Sequence, residues 1–303
     1  MSDFSFSWRH WLPVVLFCAT SCVAPRTIVS TGKVTPRGEF RVGGNAAFNV
    51  ATATLSKGGS ALKSAVQSAT GKDTVQYNQS ITDLQAAALA YVLDPVQPTS
   101  DLYLRYGVID RLDVGYKYAF GSHVFDAMYQ FLGPVGTPEH PVGRSGDTYA
   151  SIGLQYATQR AKLPGLSYLD NLTNLVGFRA SRNDLLVPLV FSRSFGPEEE
   201  NGAFSYGLVY AHTFLRYGFA PSKIYVSASQ QVPELPTSRE NFSSYGAFIN
   251  VKVGYRYVYV IPALSIFYQN YGTFALLNNR TTSLSGVTIV PSIGLQFRIP
   301  TSR

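Results

Sequence analysis

Apolar and polar positions alternate along most of the chain between residues 39 and 299, with one break at 56–95. Alternation with period two puts successive side chains on opposite faces of a strand. Phe40, Val42, Ala46, Phe48 and Val50 share one side, and Glu39, Arg41, Asn45 and Asn49 the other. Leu102, Leu104, Tyr106 and Val108 alternate with Tyr103, Arg105 and Gly107. After the polar corner Asp110-Arg111, Leu112, Val114, Tyr116, Tyr118 and Phe120 alternate with Asp113, Gly115, Lys117 and Ala119. Seven more runs begin near Phe125, Ala150, Leu185, Phe204, Tyr245, Val260 and Val287, so about ten strands are predicted, within a range of 8–12. Each run is about nine residues or longer, enough to cross a bilayer on a tilt. Pro188 has no N–H to give a ladder and should weaken a central strand.

The break has a different period. Leu62, Val66 and Ala69 fall at helical spacing, which stops at Gly71. Ser80-Ile81-Thr82-Asp83 has the form of a capping box, ahead of the stripe Ile81, Leu84, Ala88 and Tyr91, and Pro95 ends the run. A short helical insertion at 56–95, after the first strand, is expected as a plug in a lumen or a cap above it. A long connection at 217–240 holds one β-like piece, KIYVSAS.

Composition decides what the two strand faces meet. Of 303 residues only 14% are charged, while 46% are hydrophobic, with 20 Tyr and 19 Phe. So little charge implies a surface that faces something other than water. No apolar run reaches the roughly 18 residues of a spanning helix. A soluble sandwich would turn a charged face outward. Here the polar face is Gly, Ser, Asn and Gln with isolated charges, and Tyr and Phe gather near the strand ends of the apolar face, as membrane girdles require. The expected fold is all-β, an antiparallel up-and-down transmembrane β-barrel. The net charge of +7 comes without a basic run or a nucleic-acid module, so no nucleic-acid partner is expected.

The N-terminus has a basic flank at Arg9-His10, an apolar stretch at 11–19 and small residues after it, the layout of a secretory signal. Its end, Ala19-Thr20-Ser21-Cys22, resembles a bacterial lipobox. The resemblance implies cleavage after residue 21 and a diacylglycerol on the Cys22 thiol. Cys18 would leave with the signal, so no disulfide is expected. The domain reading is a signal peptide at 1–21, a lipidated tether at 22–36 and a barrel at 37–303.

The stretch Tyr106-Gly107-Val108-Ile109-Asp110-Arg111-Leu112-Asp113-Val114-Gly115 resembles the recurring hairpin of small Gram-negative outer-membrane barrels. The closing run Val290-Pro291-Ser292-Ile293-Gly294-Leu295-Gln296-Phe297 resembles their terminal strand, with Phe297 as its aromatic. The resemblance covers about 37–299 and implies the fold and the bacterial outer membrane, with no catalytic residue. With a periplasmic start, the corners at 110–111, 197–202 and 257–258 fall inside, and 56–97, 161–183, 217–240 and 271–282 fall outside. Short inner turns and long outer loops follow the bacterial rule. The 133–146 connection is long for an inner turn.

Parity assigns Glu39, Arg41, Arg105, Asp113, Lys117, Asp126, Lys252, Arg256 and Arg298 to the lumen, six cations and three carboxylates. These would either pair off and fill a narrow barrel or make a weakly anion-preferring pore. About ten strands favours a filled interior. His123, His140 and His212 have no metal-ligand spacing, and no nucleophile or phosphate-loop motif occurs. No catalytic residue, metal or cofactor is expected. The leading expectation is an outer-membrane lipoprotein with a structural or surface-interaction role and no catalytic activity. Its partners would be membrane lipids and, through the outer loops, an envelope or extracellular protein. The alternatives are a narrow pore gated by 56–95, and a lipid-modifying enzyme built on His212, which has the lipid-facing parity but no specified Ser or acid partner.

Overall fold

The alternating runs pair into one closed antiparallel barrel in a computed structural model of the protein, which describes residues 26–56, 75–119, 121–161, 177–221, 224–227 and 230–301. Its strands in chain order are β1 (Phe40–Ala51), β2 (Val75–Gln76), β3 (Gln97–Ile109), β4 (Leu112–Ala119), β5 (Ser122–Leu132), β6 (Thr148–Ala161), β7 (Phe178–Phe195), β8 (Gly202–Phe219), β9 (Ile224–Ser227), β10 (Gln230–Gln231), β11 (Leu235–Tyr255), β12 (Val258–Ala275) and β13 (Thr281–Ile299). Ten of them form the barrel, and β1 closes it by pairing with both β13 and β3, Phe40 opposing Ile299 on one side and Tyr106 on the other. Within the KIYVSAS piece Ile224–Ser227 forms β9, which pairs with β2 and β10 in a separate three-stranded sheet. Residues 1–25, which hold the expected signal and Cys22, and 57–74 lie outside the described residues.

The expected parity is kept in every barrel strand. On β11, Ser244, Phe248, Asn250 and Lys252 are buried, while Tyr245, Ile249, Val253 and Tyr255 are exposed. Exposed aromatics ring both ends of the outer wall. Tyr106, Tyr129, Tyr206, Tyr255 and Phe297 lie toward the inner end, and Tyr116, Tyr156, Tyr210, Tyr245 and Tyr268 toward the outer. Between Tyr245 and Tyr255 the chain climbs about 25 Å, at roughly 3.3 Å per residue and about 40° of tilt, which is the height of a membrane barrel's apolar band. Each barrel strand is paired on both sides, so the sheet leaves no open edge at this depth, as hydrocarbon demands. The wall is that of an outer-membrane β-barrel, with both barrel termini and the corners at 110–111, 196–201 and 256–257 at its inner end.

Pro188 sits in a central strand, and the ladder accommodates it. The β6–β7 register passes from Ile152↔Leu189 to Gln155↔Leu186 with no pair between. Opposite the gap, Gly153 leaves room for two side chains, since a Cβ there would meet Met128 Sδ at 2.2 Å and Pro188 Cγ at 3.0 Å.

The insertion supplies α1 (Gln79–Leu93). Its cap is Asn78 rather than Ser80: the Asn78 side chain accepts from the Ile81 N–H at 3.2 Å. The stripe is also wider than expected, because Leu84, Ala87, Leu89, Ala90 and Leu93 are buried together. The helix fills the outer mouth. Ile81, Leu84, Leu89 and Leu93 pack with Leu215, Tyr217, Phe219, Phe242, Tyr271 and Phe274, inward-facing residues of β8, β11 and β12. An apolar segment short for isolated stability thus gains its helix from packing.

Candidate functional site

The segment read as a tether is inside the barrel. Residues 26–36 are buried almost throughout and run along the lumen. Ile28 and Val34 pack with Met128, Leu186, Val190, Phe248 and Phe267, and Val29 with Tyr103, Tyr259 and Ile261. These wall residues form the least polar stretches of the lumen, so a short run with apolar side chains can lie against them. Its backbone is answered by polar wall groups: Thr35 N–H donates to Asp113 Oδ2 at 2.7 Å, Val34 N–H to Gln130 Oε1 at 3.2 Å, and Lys117 Nζ to Thr27 carbonyl at 3.0 Å.

Charges pair at three levels. At the inner end Arg298 bridges Glu39, with contacts of 2.7 and 2.5 Å, and Glu139, with contacts of 3.0 and 2.6 Å. Lys252 donates to Glu199 at 3.0 Å, and Lys33 pairs with Glu198. Glu198 and Glu199 stand in the tight turn Pro197–Glu199 with φ of 54° and 61°. Left-handed backbone at non-glycine residues costs about 1–3 kcal/mol each and persists where surroundings impose it. Here it turns both carboxylates into the lumen. Arg41 donates to the carbonyls of Lys33 and Val34 at 2.9 and 3.2 Å. The long 133–147 connection folds under this end: Glu198 Oε1 accepts from Val142 and Gly143 N–H, and Lys33 Nζ donates to Gly136 carbonyl. Its length serves to seal the inner mouth.

At mid-height Arg105 bridges Asp113 and Asp126, each at 2.5 Å. Gly115 beside them has no room for a side chain, as its Cβ would lie 2.7 Å from Asp126 Oδ1. Asp101 accepts from Asn45 at 2.6 Å and lies 3.9 Å from Lys117. At the outer level Asp94, the residue ending α1, pairs with Arg26 and accepts from Gln269, Tyr271 and, at 2.6 Å, Thr288. Arg26 also donates to Gln269 Oε1 at 2.5 Å and lies 5.5 Å from the Phe267 ring centroid. Arg182 pairs with Asp184 at 2.8 Å and donates to Leu93 carbonyl at 2.5 Å.

Burial alone would raise the carboxyls of Asp94 and Glu199. The Arg26 charge outweighs it at Asp94, and Lys252, Arg41 and Lys33 outweigh it at Glu199, so both sit below the usual carboxylate range. Glu139, nearer water, is held down to about 2 chiefly by its hydrogen bond from Arg298.

Eight of the nine lumen residues expected from parity do face inward, and Arg256 does not. It lies in the turn between β11 and β12 with φ 50°, its side chain 38% exposed, and pairs with Glu200 at 2.5 Å. The tight turn breaks the alternation there and takes Arg256 out of the lumen. Sequence reasoning missed Asp94, Asp101, Arg182, Asp184, Glu198 and Glu199. Longer strands carry the parity through Asp101, Arg182 and Asp184, whereas no local pattern marks Asp94, Glu198 and Glu199. With them counted, six wall cations face eight buried carboxylates among the described residues, and Arg26 and Lys33 of the threaded segment bring the cations beside them to eight. Among the described residues the cation excess behind an anion-preferring lumen is not present. A lumen cavity beside Thr27–Val34 is about 30 Å³, room for two or so waters.

On the outer wall, His212 has a partner that its own strand does not show. Ser243 opposes it in register on β11, with Oγ 3.1 Å from His212 Nδ1, and Tyr210 Oη lies 3.0 Å from the same Oγ. Both hydroxyls approach one ring nitrogen, and no carboxylate among the described residues touches the group.

No protein-family model matches the chain, and no curated protein matches it. Several solved structures align along most of the chain. Neisserial surface protein A is 9% identical, covering 85% of this chain and 96% of its own, with a TM-score of 0.32. A major outer membrane protein from Thermus thermophilus is 9% identical, covering 86% and 99%, with a TM-score of 0.34. The outer membrane protease OmpT from Escherichia coli is 9% identical, covering 88% and 99%, with a TM-score of 0.28. At such scores these likenesses carry no argument about activity, and the barrel rests on its own strand pairing.

Proposed function

We propose that this protein is a closed outer-membrane barrel that acts through its outer surface and loops, as a structural or surface-interaction protein, without carrying solute or performing catalysis. The observation that carries this reading is the lumen: residues 26–36 occupy it, α1 fills the outer mouth, and the two cations of the segment balance the wall. A pore would require both elements to leave, stripping the carboxylates of Asp113, Glu198 and Glu199 of groups that now satisfy them. Planar-bilayer recording tests it. The full chain should show no discrete channels, and steady conductance from the wild type would refute the reading.

Lipidation at Cys22 is the finer part of the proposal. Arg26 is bonded at the level of Gln269, which stands about 28 Å along the barrel axis from the inner end of β12. Four residues of extended chain reach about 14 Å. A lipid on Cys22 therefore belongs on the outer side of the membrane. Mass spectrometry of the mature N-terminus, with labelling of intact cells, checks both points, and an unmodified or inner-facing terminus would remove this part.

One observation favours a second reading, a lipid-modifying enzyme: the cross-strand Ser243–His212 contact of 3.1 Å on the lipid-facing wall. It predicts release of fatty acid from a membrane lipid ester in detergent micelles, lost in His212→Ala and in Ser243→Ala. Equal release by all three proteins would end it.

A further inference from the structure

Toward its outer end, the wall of the described residues gathers three exposed arginines. Arg216 on β8 stands directly opposite Arg239 on β11, and Ser181 on β7 flanks Arg216 on the other side. Arg179 lies one row higher, opposite Gly218. All three arginines are exposed, on the outward parity. Like charges directly opposed across strands repel. No ion pair or hydrogen bond of the described residues answers any of the three guanidinium groups. Glu240 turns inward opposite the buried Leu215, and Glu234 lies beyond the last paired position, Leu235. The corresponding outward positions on β12 and β13 are uncharged, with Asn270, Gly272, Ser283 and Ser285. At this end of the described wall the register therefore collects unbalanced positive charge on the β7–β8–β11 face.

The rows beneath give this patch a depth. Tyr210, Tyr245 and Tyr268 oppose one another at the outer girdle. The next row holds His212 and Ser243, and the next Asn183, Phe214 and Asn241. The arginine row comes third, six residues beyond Tyr210, or about 15 Å above the girdle at strand rise and tilt. A glycerophospholipid headgroup layer is only about 5–8 Å deep. The uncharged polar rows lie at that depth, and the cations lie above it, where the sugars of a larger lipid headgroup would stand.

We propose that Arg179, Arg216 and Arg239 bind the phosphate groups of a phosphorylated glycolipid of the outer leaflet, with its acyl chains on the wall below the tyrosine row. The planar guanidinium fork suits phosphate oxygens, and an anion between Arg216 and Arg239 converts their repulsion into a shared contact. The proposal rests on the outward orientation of this end in the membrane and not on the closed lumen, so bilayer conductance and lipid binding fail separately.

The test uses the full chain in detergent, with bound lipid per barrel read by native mass spectrometry. The probes are an acylated, phosphorylated disaccharide carrying phosphorylated core sugars, the same lipid with its phosphates removed, and phosphatidylglycerol. The phosphorylated glycolipid should bind at least about tenfold better than either other lipid, and Arg216→Gln/Arg239→Gln should abolish the difference. Arg144→Gln, an exposed arginine at the inner end, should leave binding unchanged. Heat-modifiable gel mobility reports that each variant is folded, and Arg239→Gln alone replaces the pair if the pair is not. Equal binding by the folded variant, or equal binding of phosphatidylglycerol, overturns the proposal. So does displacement by millimolar inorganic phosphate, which would mark a site for any free anion.

Discussion

Asp94→Asn tests most directly whether the threaded segment is locked in place. Asp94 joins three parts of the molecule: it ends α1, pairs with Arg26 of the segment, and accepts from Gln269, Tyr271 and Thr288 of the wall. Both members of the ion pair are buried, at 4% and 1% side-chain exposure. Removing one partner of such a pair costs about 3–5 kcal/mol, because the other charge stays buried alone. Asparagine keeps the volume and part of the hydrogen bonding, so about 3 kcal/mol is expected. Arg26→Met should cost a similar amount, and the double variant about 2 kcal/mol less than the sum, since neither charge then remains. The assay is denaturant unfolding in micelles, followed by far-ultraviolet circular dichroism and heat-modifiable mobility; the two tryptophans, Trp8 and Trp11, precede the barrel strands and do not report on them. The pH dependence has a defined sign. The Asp94 carboxyl lies below its ordinary value when folded, so its contribution is present above the unfolded value, near 4, and is lost as pH falls through the folded one. Asp94→Asn should flatten that loss. Additivity of the two single variants within about 0.5 kcal/mol would refute the lock.

Three further outcomes follow from the same geometry. Glu139 is held to about 2 by Arg298, so stability should fall as pH drops from 4.5 toward 2, and Glu139→Gln should remove that part of the slope in an acid titration of the unfolding midpoint. Arg105→Met leaves Asp113 and Asp126 buried without their shared cation and should cost about 3–5 kcal/mol, whereas Arg256→Gln, exposed in its turn, should leave the midpoint where it is. Gly153→Val would drive a side chain into Met128 and Pro188 and should cost at least about 1–3 kcal/mol or abolish folding, measured by recovery of the heat-modifiable form.

Period-two alternation by itself determined which residues face lipid and which face the lumen. It is a property of the extended backbone, so it is local, and it is legible wherever one face meets hydrocarbon. Glu39, Arg41, Arg105, Asp113, Lys117, Asp126, Lys252 and Arg298 are inward for that reason. It failed at Arg256, where a left-handed turn replaces extended chain. The helix at 79–93 was legible from spacing, but its cap at Asn78 and its seat in the outer mouth were not, because they depend on what packs around it. The long-range partners were decided by the tertiary structure. Only closure brings Arg26 to Asp94, 68 residues away, and Arg298 to Glu39, 259 residues away. Only register sets Ser243 against His212 and Arg239 against Arg216. The placement of residues 26–36 is the clearest case. Their irregular sequence carries no period to read, and they are ordered by a complementary wall contributed by nearly every strand of the barrel.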